Sequence, residues 1–273
     1  MIPVDEAEFA ELARKISRGS GVTLEAYKDK CVRRRIAVRM RACGVHTYAD
    51  YRAVLDKSPS EYDRLRDALT INVTRFYRNA ETWNLIRNDL LPAICAGRER
   101  EIRAWSAGCS SGEEAYTLAS LFAELFDREG HPERLQRVAI DATDIDRVSL
   151  ERARAARYRA AGLAEMPPEL AQAYFEPEGP EYRVTERVRR RVSVRQLDLS
   201  RKPPPHVGYQ LICCRNVVIY FDRGMQERLF EVLAAALAPG GYLVLGKVET
   251  LFGATRDRLI LVDPRERVYR RPE

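Results

Sequence analysis

The chain has 273 residues, 45% of them hydrophobic and 32% charged, with a formal net charge of +6, which is enough apolar material to bury one full core and leave room for a second. No stretch approaches the ~20 apolar residues that span a bilayer, and the start, MIPVDEAEFAELARKIS, is acidic and amphipathic without a secretory core, so a cytoplasmic protein with no membrane insertion is expected. The six cysteines (Cys31, Cys43, Cys95, Cys109, Cys213, Cys214) form no C-x-x-C pair and His46, His131 and His206 lie far apart, which argues against a metal site and for reduced thiols packed in a core.

Residues 1–80 alternate amphipathic runs with turn signals at Arg18 to Gly21, Cys43-Gly44 and Ser58-Pro59-Ser60 and contain no convincing strand. A small domain of about four helices is predicted there. It holds 16 Lys and Arg against 11 Asp and Glu, a surplus of five that accounts for nearly all of the net charge. Most of that surplus sits in YKDKCVRRRIAVRMR, where Cys31, Ile36, Val38 and Met40 offer an apolar side to one helix. Lys28, Arg33, Arg34, Arg35 and Arg39 on its other side are either a solvated face or a docking surface for an acidic partner.

Residues 81–273 read differently. After a helical connector ending near Pro92 come EIRAWSAG, RVAIDATDID, YQLICCRN and GYLVLGK, each short and apolar and each flanked by helical periods. That rhythm predicts a doubly wound α/β sheet. The helix after the first of these strands should bury Ala115, Leu118, Phe122 and Leu125, with Ser110 and Ser111 as candidate caps. Another helix runs from Arg223 to Leu237, with Met225, Leu229, Val232 and Leu233 inward, and stops at Pro239-Gly240-Gly241. Between about 174 and 197 the alternation of Val184, Val188, Val192 and Val194 after the turn Pro177 to Pro180 predicts a small antiparallel β insertion.

The glycine-bearing turn AWSAGCSSGEEAYTL has the form of a nucleotide-binding strand-to-helix turn, yet Glu113 and Glu114 stand at the helix start, where the partial positive charge usually holds a phosphate. Acidic residues in a first turn are also ordinary helix stabilisers. Read functionally, they disfavour NAD or ATP and suit a ligand without phosphate that carries positive charge and hydroxyls, such as S-adenosylmethionine. Asp144 at the end of the next strand is placed to hydrogen-bond a ribose. Together these features point to a Rossmann-like methyltransferase.

TINVTRFYR (70–78), WSAGCSSGEEAYTLA (105–119), ATDID (142–146), CRNVVIYFD (214–222) and LAPGGYLVLG (237–246) occur in one order, and the chain that carries them resembles the CheR family of chemotaxis receptor methyltransferases over nearly its whole length. The resemblance implies methyl transfer from S-adenosylmethionine to glutamates on the cytoplasmic helical bundle of methyl-accepting chemoreceptors, giving methyl esters. It places Asn72, Thr74 and Arg78 near the cofactor or acceptor, Glu113 or Glu114 and Asp144 on the amino-acid and ribose parts, Asp198 with Leu199 by the adenine, and Arg215, Asn216 and Tyr220 along the site. Arg78 and Tyr220 are the catalytic candidates. Where the family often has Gly-His-Ser-Glu, this chain has Gly246-Lys247-Val248-Glu249. Members that tether to a peptide at the receptor C-terminus carry a longer glycine-containing loop after a tyrosine-phenylalanine pair; here Tyr174-Phe175 is followed by the compact EPEGPE, so no tight tethering is expected.

A nucleic-acid methyltransferase is disfavoured because CRNVVIYFD replaces the aromatic-proline motif that grips a flipped base. A non-catalytic cofactor- or partner-binding module of the same fold stays open, as does a nicotinamide dehydrogenase, the latter disfavoured by the glutamates. A monomer is the default expectation.

Overall fold

The computed structural model describes residues 4–20, 24–69, 74–97 and 101–273. Among the described residues no helix is long and apolar enough to cross a membrane. The chain parts into two compact units, residues 1–71 with 220–226, and residues 72–219 with 227–273.

The first unit is helical: α1 (Val4–Ser20), α2 (Asp29–Ala42), α3 (Tyr48–Lys57) and α4 (Pro59–Leu69). The turn signals fall between helices. Thr47 caps α3 by accepting from the Asp50 N–H at 3.1 Å, and Pro59, whose missing N–H costs nothing at a helix start, opens α4. Leu12 and Ile16, Val32, Ile36 and Met40, and Tyr51 and Leu55 recur at helical spacing and are buried together with Leu65 and Leu69. One buried carboxylate is enclosed by them. Glu61, 1% exposed, accepts two hydrogen bonds from Arg39 (2.9 and 2.8 Å) and one from the Tyr51 hydroxyl (2.8 Å). Burial works to raise its carboxyl, but these bonds outweigh it and hold the group below the ordinary range. The stretch 220–226 joins this unit through a Tyr27–Phe221 bridge, a Lys28 N–H to Tyr220 carbonyl bond (2.8 Å) and an Asp222 N–H to Ala26 carbonyl bond (2.9 Å).

The second unit opens with α5 (Ala80–Leu85), which passes through one π-helical stretch, Ile86–Leu90, into α6 (Leu91–Cys95). Helix thus continues past Pro92, because the wider turn accommodates a residue that lacks an N–H. Then follow β1 (Ile102–Ala107), α7 (Glu113–Arg128), β2 (Val138–Asp144), α8 (Arg147–Ala155), β3 (Arg157–Arg159), α9 (Pro168–Tyr174), β4 (Phe175–Glu178), β5 (Glu181–Val184), α10 (Glu186–Arg189), β6 (Val192–Gln196), β7 (Tyr209–Cys214), α11 (Arg223–Ala236), β8 (Leu237–Leu245), α12 (Ala254–Arg258), β9 (Ile260–Asp263) and β10 (Val268–Arg270).

Seven strands form one sheet in the order β6-β2-β1-β7-β8-β10-β9. The five at the β6 end are parallel, and β10 runs antiparallel to both its neighbours. The four apolar runs of the sequence are β1, β2, β7 and β8, covered on both faces as parallel strands require. On α7 the expected Ala115, Leu118, Phe122 and Leu125 are all buried. Strand order reverses between β1 and β7, which opens a crevice at the carboxyl ends of these strands.

The alternation across 182–194 is divided between two sheets. β5 is the centre of a three-stranded antiparallel sheet, β3-β5-β4, whereas Val192 and Val194 belong to β6, the parallel edge of the main sheet. An edge strand covered on one face alternates like a hairpin strand, so the two cannot be told apart by pattern. The small sheet is seated on the main core: Phe76 packs edge-on against both Tyr158 and Phe175, and the Tyr158 hydroxyl donates to the Ser111 carbonyl at 2.7 Å.

Candidate active site

The turn after β1 is built by backbone constraints. The N–H groups of Gly108 and Cys109 both donate to the Thr143 carbonyl (2.8 and 2.9 Å), clipping the end of β1 to the end of β2. Gly108 has φ +89°, and a Cβ there would lie 2.2 Å from Val217 Cγ2, so only glycine fits. Gly112, at φ +96°, stands at the helix N-cap. The serines expected as caps do other things. Ser111 Oγ donates to both Glu113 carboxylate oxygens (3.0 and 2.8 Å), and Ser110, itself at φ 49°, donates its N–H to Asp144 Oδ2 at 2.8 Å. A left-handed glycine leaves no extended residue from which a hydroxyl could reach back to the helix N–H groups.

The adjacent glutamates diverge. Glu113 is folded back on Ser111, while Glu114 turns into the crevice, accepting from Ser106 Oγ at 2.8 Å and from Arg215 Nη1 at 3.4 Å. Burial raises both carboxyls above the ordinary range, and Arg215 pulls against that rise at Glu114. Arg215, at the end of β7, has a side chain only 4% exposed. Its Nη2 donates to the Arg78 carbonyl (2.7 Å) and Asn79 Oδ1 (3.1 Å), and its guanidinium lies 5.1 Å from the centre of the Trp83 ring. The turn 76–79 that precedes α5 is thereby bound to the crevice floor. Arg78 and Thr74 are half-buried in this segment; Asn72 lies outside the described residues.

At the end of β2, Asp144 is half-buried, and each oxygen accepts one peptide N–H: Ser110 at 2.8 Å and Asp146 at 2.9 Å. Burial raises its carboxyl. The Leu197 N–H donates to the Asp144 carbonyl at 2.9 Å and brings Asp198 and the half-buried Leu199 alongside. Asp198 Oδ1 is occupied by the Ser200 hydroxyl (2.6 Å) and N–H (2.9 Å). Three buried polar atoms at these strand ends have no hydrogen-bond partner among the described residues: Ser110 Oγ, Asp198 Oδ2 and Arg215 Nε. After β7, Asn216 sits at φ 60° with its N–H bonded to Glu249 at 2.9 Å. Glu249 was given no role from the sequence, where it stands only as the matching glutamate of the Gly246-Lys247-Val248-Glu249 loop.

The remaining candidates lie in the helical unit. Tyr220 is half-buried with the Arg35 guanidinium 5.1 Å from its ring centre, and both line a shallow recess with Leu24, Tyr27, Cys31, Val32 and Leu69. Arg35 itself is 8% exposed, and burial lowers its pKa. The five basic residues read as one surface therefore divide. Arg33 bonds Glu6 and Asp29 (2.6 Å each) over the Phe9 ring, Arg39 clasps Glu61, Arg35 is turned inward, and Lys28 and Arg34 are exposed. The apolar side of α2 is Val32, Ile36 and Met40; Val38, expected there, is 48% exposed on an outward stripe with Lys30, Arg34 and Arg41. Positions 32, 36 and 40 keep strict four-residue spacing, and 38 falls half a turn away.

A parallel sheet whose order reverses at a glycine turn, with carboxylates where a phosphate would sit, defines a Rossmann-like methyltransferase. Residues 72–267 match the family model described as CheR methyltransferase, SAM binding domain, and residues 7–70 match CheR methyltransferase, all-alpha domain. A chemotaxis protein methyltransferase of Klebsiella aerogenes is 32% identical over 94% of this chain and 87% of its own length, and chemotaxis protein methyltransferase 2 of Pseudomonas aeruginosa is 33% identical over 91% and 88%. Among solved structures, the N-methyltransferase NodS of Bradyrhizobium japonicum WM9 with S-adenosyl-L-homocysteine aligns over 73% of this chain and 89% of its own at 17% identity and a TM-score of 0.43, too loose for residue correspondence. The chain belongs to the CheR methyltransferase family, and S-adenosylmethionine is its cofactor.

Proposed function

We propose that this protein transfers the methyl group of S-adenosylmethionine to glutamate side chains on the cytoplasmic helical bundle of chemoreceptors, forming methyl esters, and that it does so in the cytoplasm as a monomer. The observation that carries the reading is the pairing of Glu114 with Arg215 beside Asp144 at the point where the strand order reverses.

The cofactor fits the residues present. Asp144 keeps a second lone pair on each oxygen for the ribose hydroxyls. Asp198 Oδ2, buried with no hydrogen bond among the described residues and only the Arg201 guanidinium 3.8 Å away, suits the adenine amino group beside Leu199, and Ser110 Oγ, Arg215 Nε and Asn216 can hold the amino-acid part with Glu114. The family resemblance adds Thr74, and Asn72 outside the described residues, to the set. When bound, S-adenosylmethionine supplies an electrophilic methyl on a sulfonium. The acceptor is a carboxylate with an ordinary pKa near 4.3, ionised at pH 7, so no general base is needed. Positive sulfonium and negative carboxylate are consumed together, and the chain's task is to align them and exclude water. The role proposed for Arg78 is to grip one carboxylate oxygen with its planar fork, leaving the other free to attack. For Tyr220, which lies in the helical unit beside Arg35, the proposed role of hydrogen-bond donor to the acceptor rests on the family resemblance.

Asp144→Ala is expected to weaken S-adenosylmethionine binding by about 1.5–3 kcal/mol, the worth of hydrogen bonds to a charged group, as read by calorimetry. An unchanged dissociation constant would remove Asp144 from the site. In the parent protein the ionised form accepts the ribose hydroxyls and burial raises the carboxyl, so affinity should be full above the raised pKa and fall as pH drops through it. The same shift has the opposite sign for folding: a folded-state pKa above the unfolded one makes this group favour the cofactor-free fold increasingly as pH falls from the raised value towards the ordinary one. Affinity that is flat where an ordinary aspartate is still ionised would contradict the assignment.

Docking on the acidic receptor bundle is assigned to the outward stripe of α2, where Arg34 is the exposed sequence candidate with Lys30 and Arg41 beside it, together with the exposed Lys28 at the helix N-cap. Lys30→Glu with Arg34→Glu should raise KM for the receptor and reverse its salt dependence over a screening length of about 8–10 Å, leaving cofactor affinity unchanged. Kinetics indifferent to the reversal would leave the stripe a solvated face. Independence from a tethering peptide is supported by the small sheet, where β4 and β5 are joined by Gly179-Pro180 alone and Glu178 is paired with Arg157 and Arg183. Micromolar binding of a receptor C-terminal peptide would refute it.

A further inference from the structure

Glu249 is 3% exposed, and among the described residues its hydrogen-bond partners are peptide N–H groups from two chain segments. Oε2 accepts from Gly246 (2.7 Å) at the end of β8 and from Asn216 (2.9 Å) after β7; Oε1 accepts from Ile219 (3.1 Å). The two segments interlock. A Cβ on Gly246 would lie 2.7 Å from Glu249 Oε2, 2.9 Å from Asn216 N and 3.0 Å from Asn216 Nδ2. Asn216 is in the left-handed region at φ 60°, which asparagine tolerates but which its surroundings must hold in place.

A carboxylate is an expensive way to fill this space. Burial raises its pKa, and the charge of Glu249 also raises that of Glu114, which faces the crevice. An apolar residue would avoid both costs if stability alone were served. What it could not do is offer two acceptor oxygens that gather N–H groups from separate segments.

We propose that Glu249 is a positioning residue for methyl transfer: by holding the Asn216 and Ile219 N–H groups against the end of β8, it fixes the turn from which Asn216 meets the cofactor. This rests on the reading of Asn216 as cofactor-holding. Glu249 touches no reacting atom; its effect passes through Asn216.

A double-mutant cycle tests it, with S-adenosylmethionine affinity measured by calorimetry on the full chain without acceptor, so that an error about the acceptor leaves the result untouched. Glu249→Gln keeps the volume but turns an amide NH2 towards N–H donors. It should weaken binding by about tenfold, the scale of one hydrogen bond to a charged group, with little change in Tm. Asn216→Ala should weaken binding similarly, and the double variant should bind no worse than the weaker-binding single one. Should the glutamine variant fail to fold, Glu249→Asp keeps the charge while withdrawing the oxygens and carries the same cycle. Unchanged affinity at 249, or effects at 249 and 216 that multiply, would overturn the proposal. Unchanged affinity for Asn216→Ala alone would instead overturn the reading of Asn216 beneath it.

Discussion

Arg215→Ala is expected to abolish measurable S-adenosylmethionine binding and to destabilise the fold by about 3–5 kcal/mol, the scale of breaking a buried ion pair by removing one partner. The reason is the number of groups that depend on one side chain. Glu114 loses its cation while still buried, and the Arg78 carbonyl and Asn79 Oδ1 lose the donor that ties the 76–79 turn to β7. Arg215→Lys should rescue little, because a single ammonium on a flexible stem cannot serve three acceptors that a planar guanidinium spans. Urea unfolding with and without cofactor separates the two losses. A folded Arg215→Ala protein that binds cofactor normally would show that Glu114 and Arg215 form only a structural pair.

Arg78→Ala is expected to behave in the opposite way. The contact that Arg78 makes with Arg215 is through its backbone carbonyl, which alanine retains. That tie should therefore survive the substitution, while turnover at saturating receptor falls by about 100-fold, the cost of an acceptor displaced by an ångström or so. Steady-state kinetics give both numbers. A loss confined to KM would make Arg78 a docking residue instead of an aligning one.

Much of the second unit is legible in the sequence because parallel strands buried on both faces read as unbroken apolar runs, and β1, β2, β7 and β8 are such runs. The edges are not. β6 carries Arg195 and Gln196 and imitates a hairpin strand, while β9 leaves Ile260, Leu261 and Val262 roughly half exposed and β10 is three residues long, so neither produces a period. Within the candidate site, the glycine turn and Asp144 were visible as residue types at a strand end. What could not be read was direction. Glu113 and Glu114 are equivalent in a string of letters, and only the helix phase sends one to Ser111 and the other to Arg215. Arg34 and Arg35 are equally alike, yet one is exposed and the other lies beside Tyr220. The partner that places Arg35 comes from residue 220, far along the chain, and local pattern carries no trace of such a contact. Glu249 escaped for the same reason, its bonds running to peptide groups 30 and 33 residues away.

The most direct measurement is transfer of a labelled methyl group from S-adenosylmethionine to a chemoreceptor cytoplasmic fragment, followed by treatment with mild base. The account predicts label in the receptor that is released as methanol by base and is prevented when the acceptor glutamates are replaced by alanine. Label that resists base, or that stays in the receptor after those glutamates are gone, would contradict carboxylate methylation.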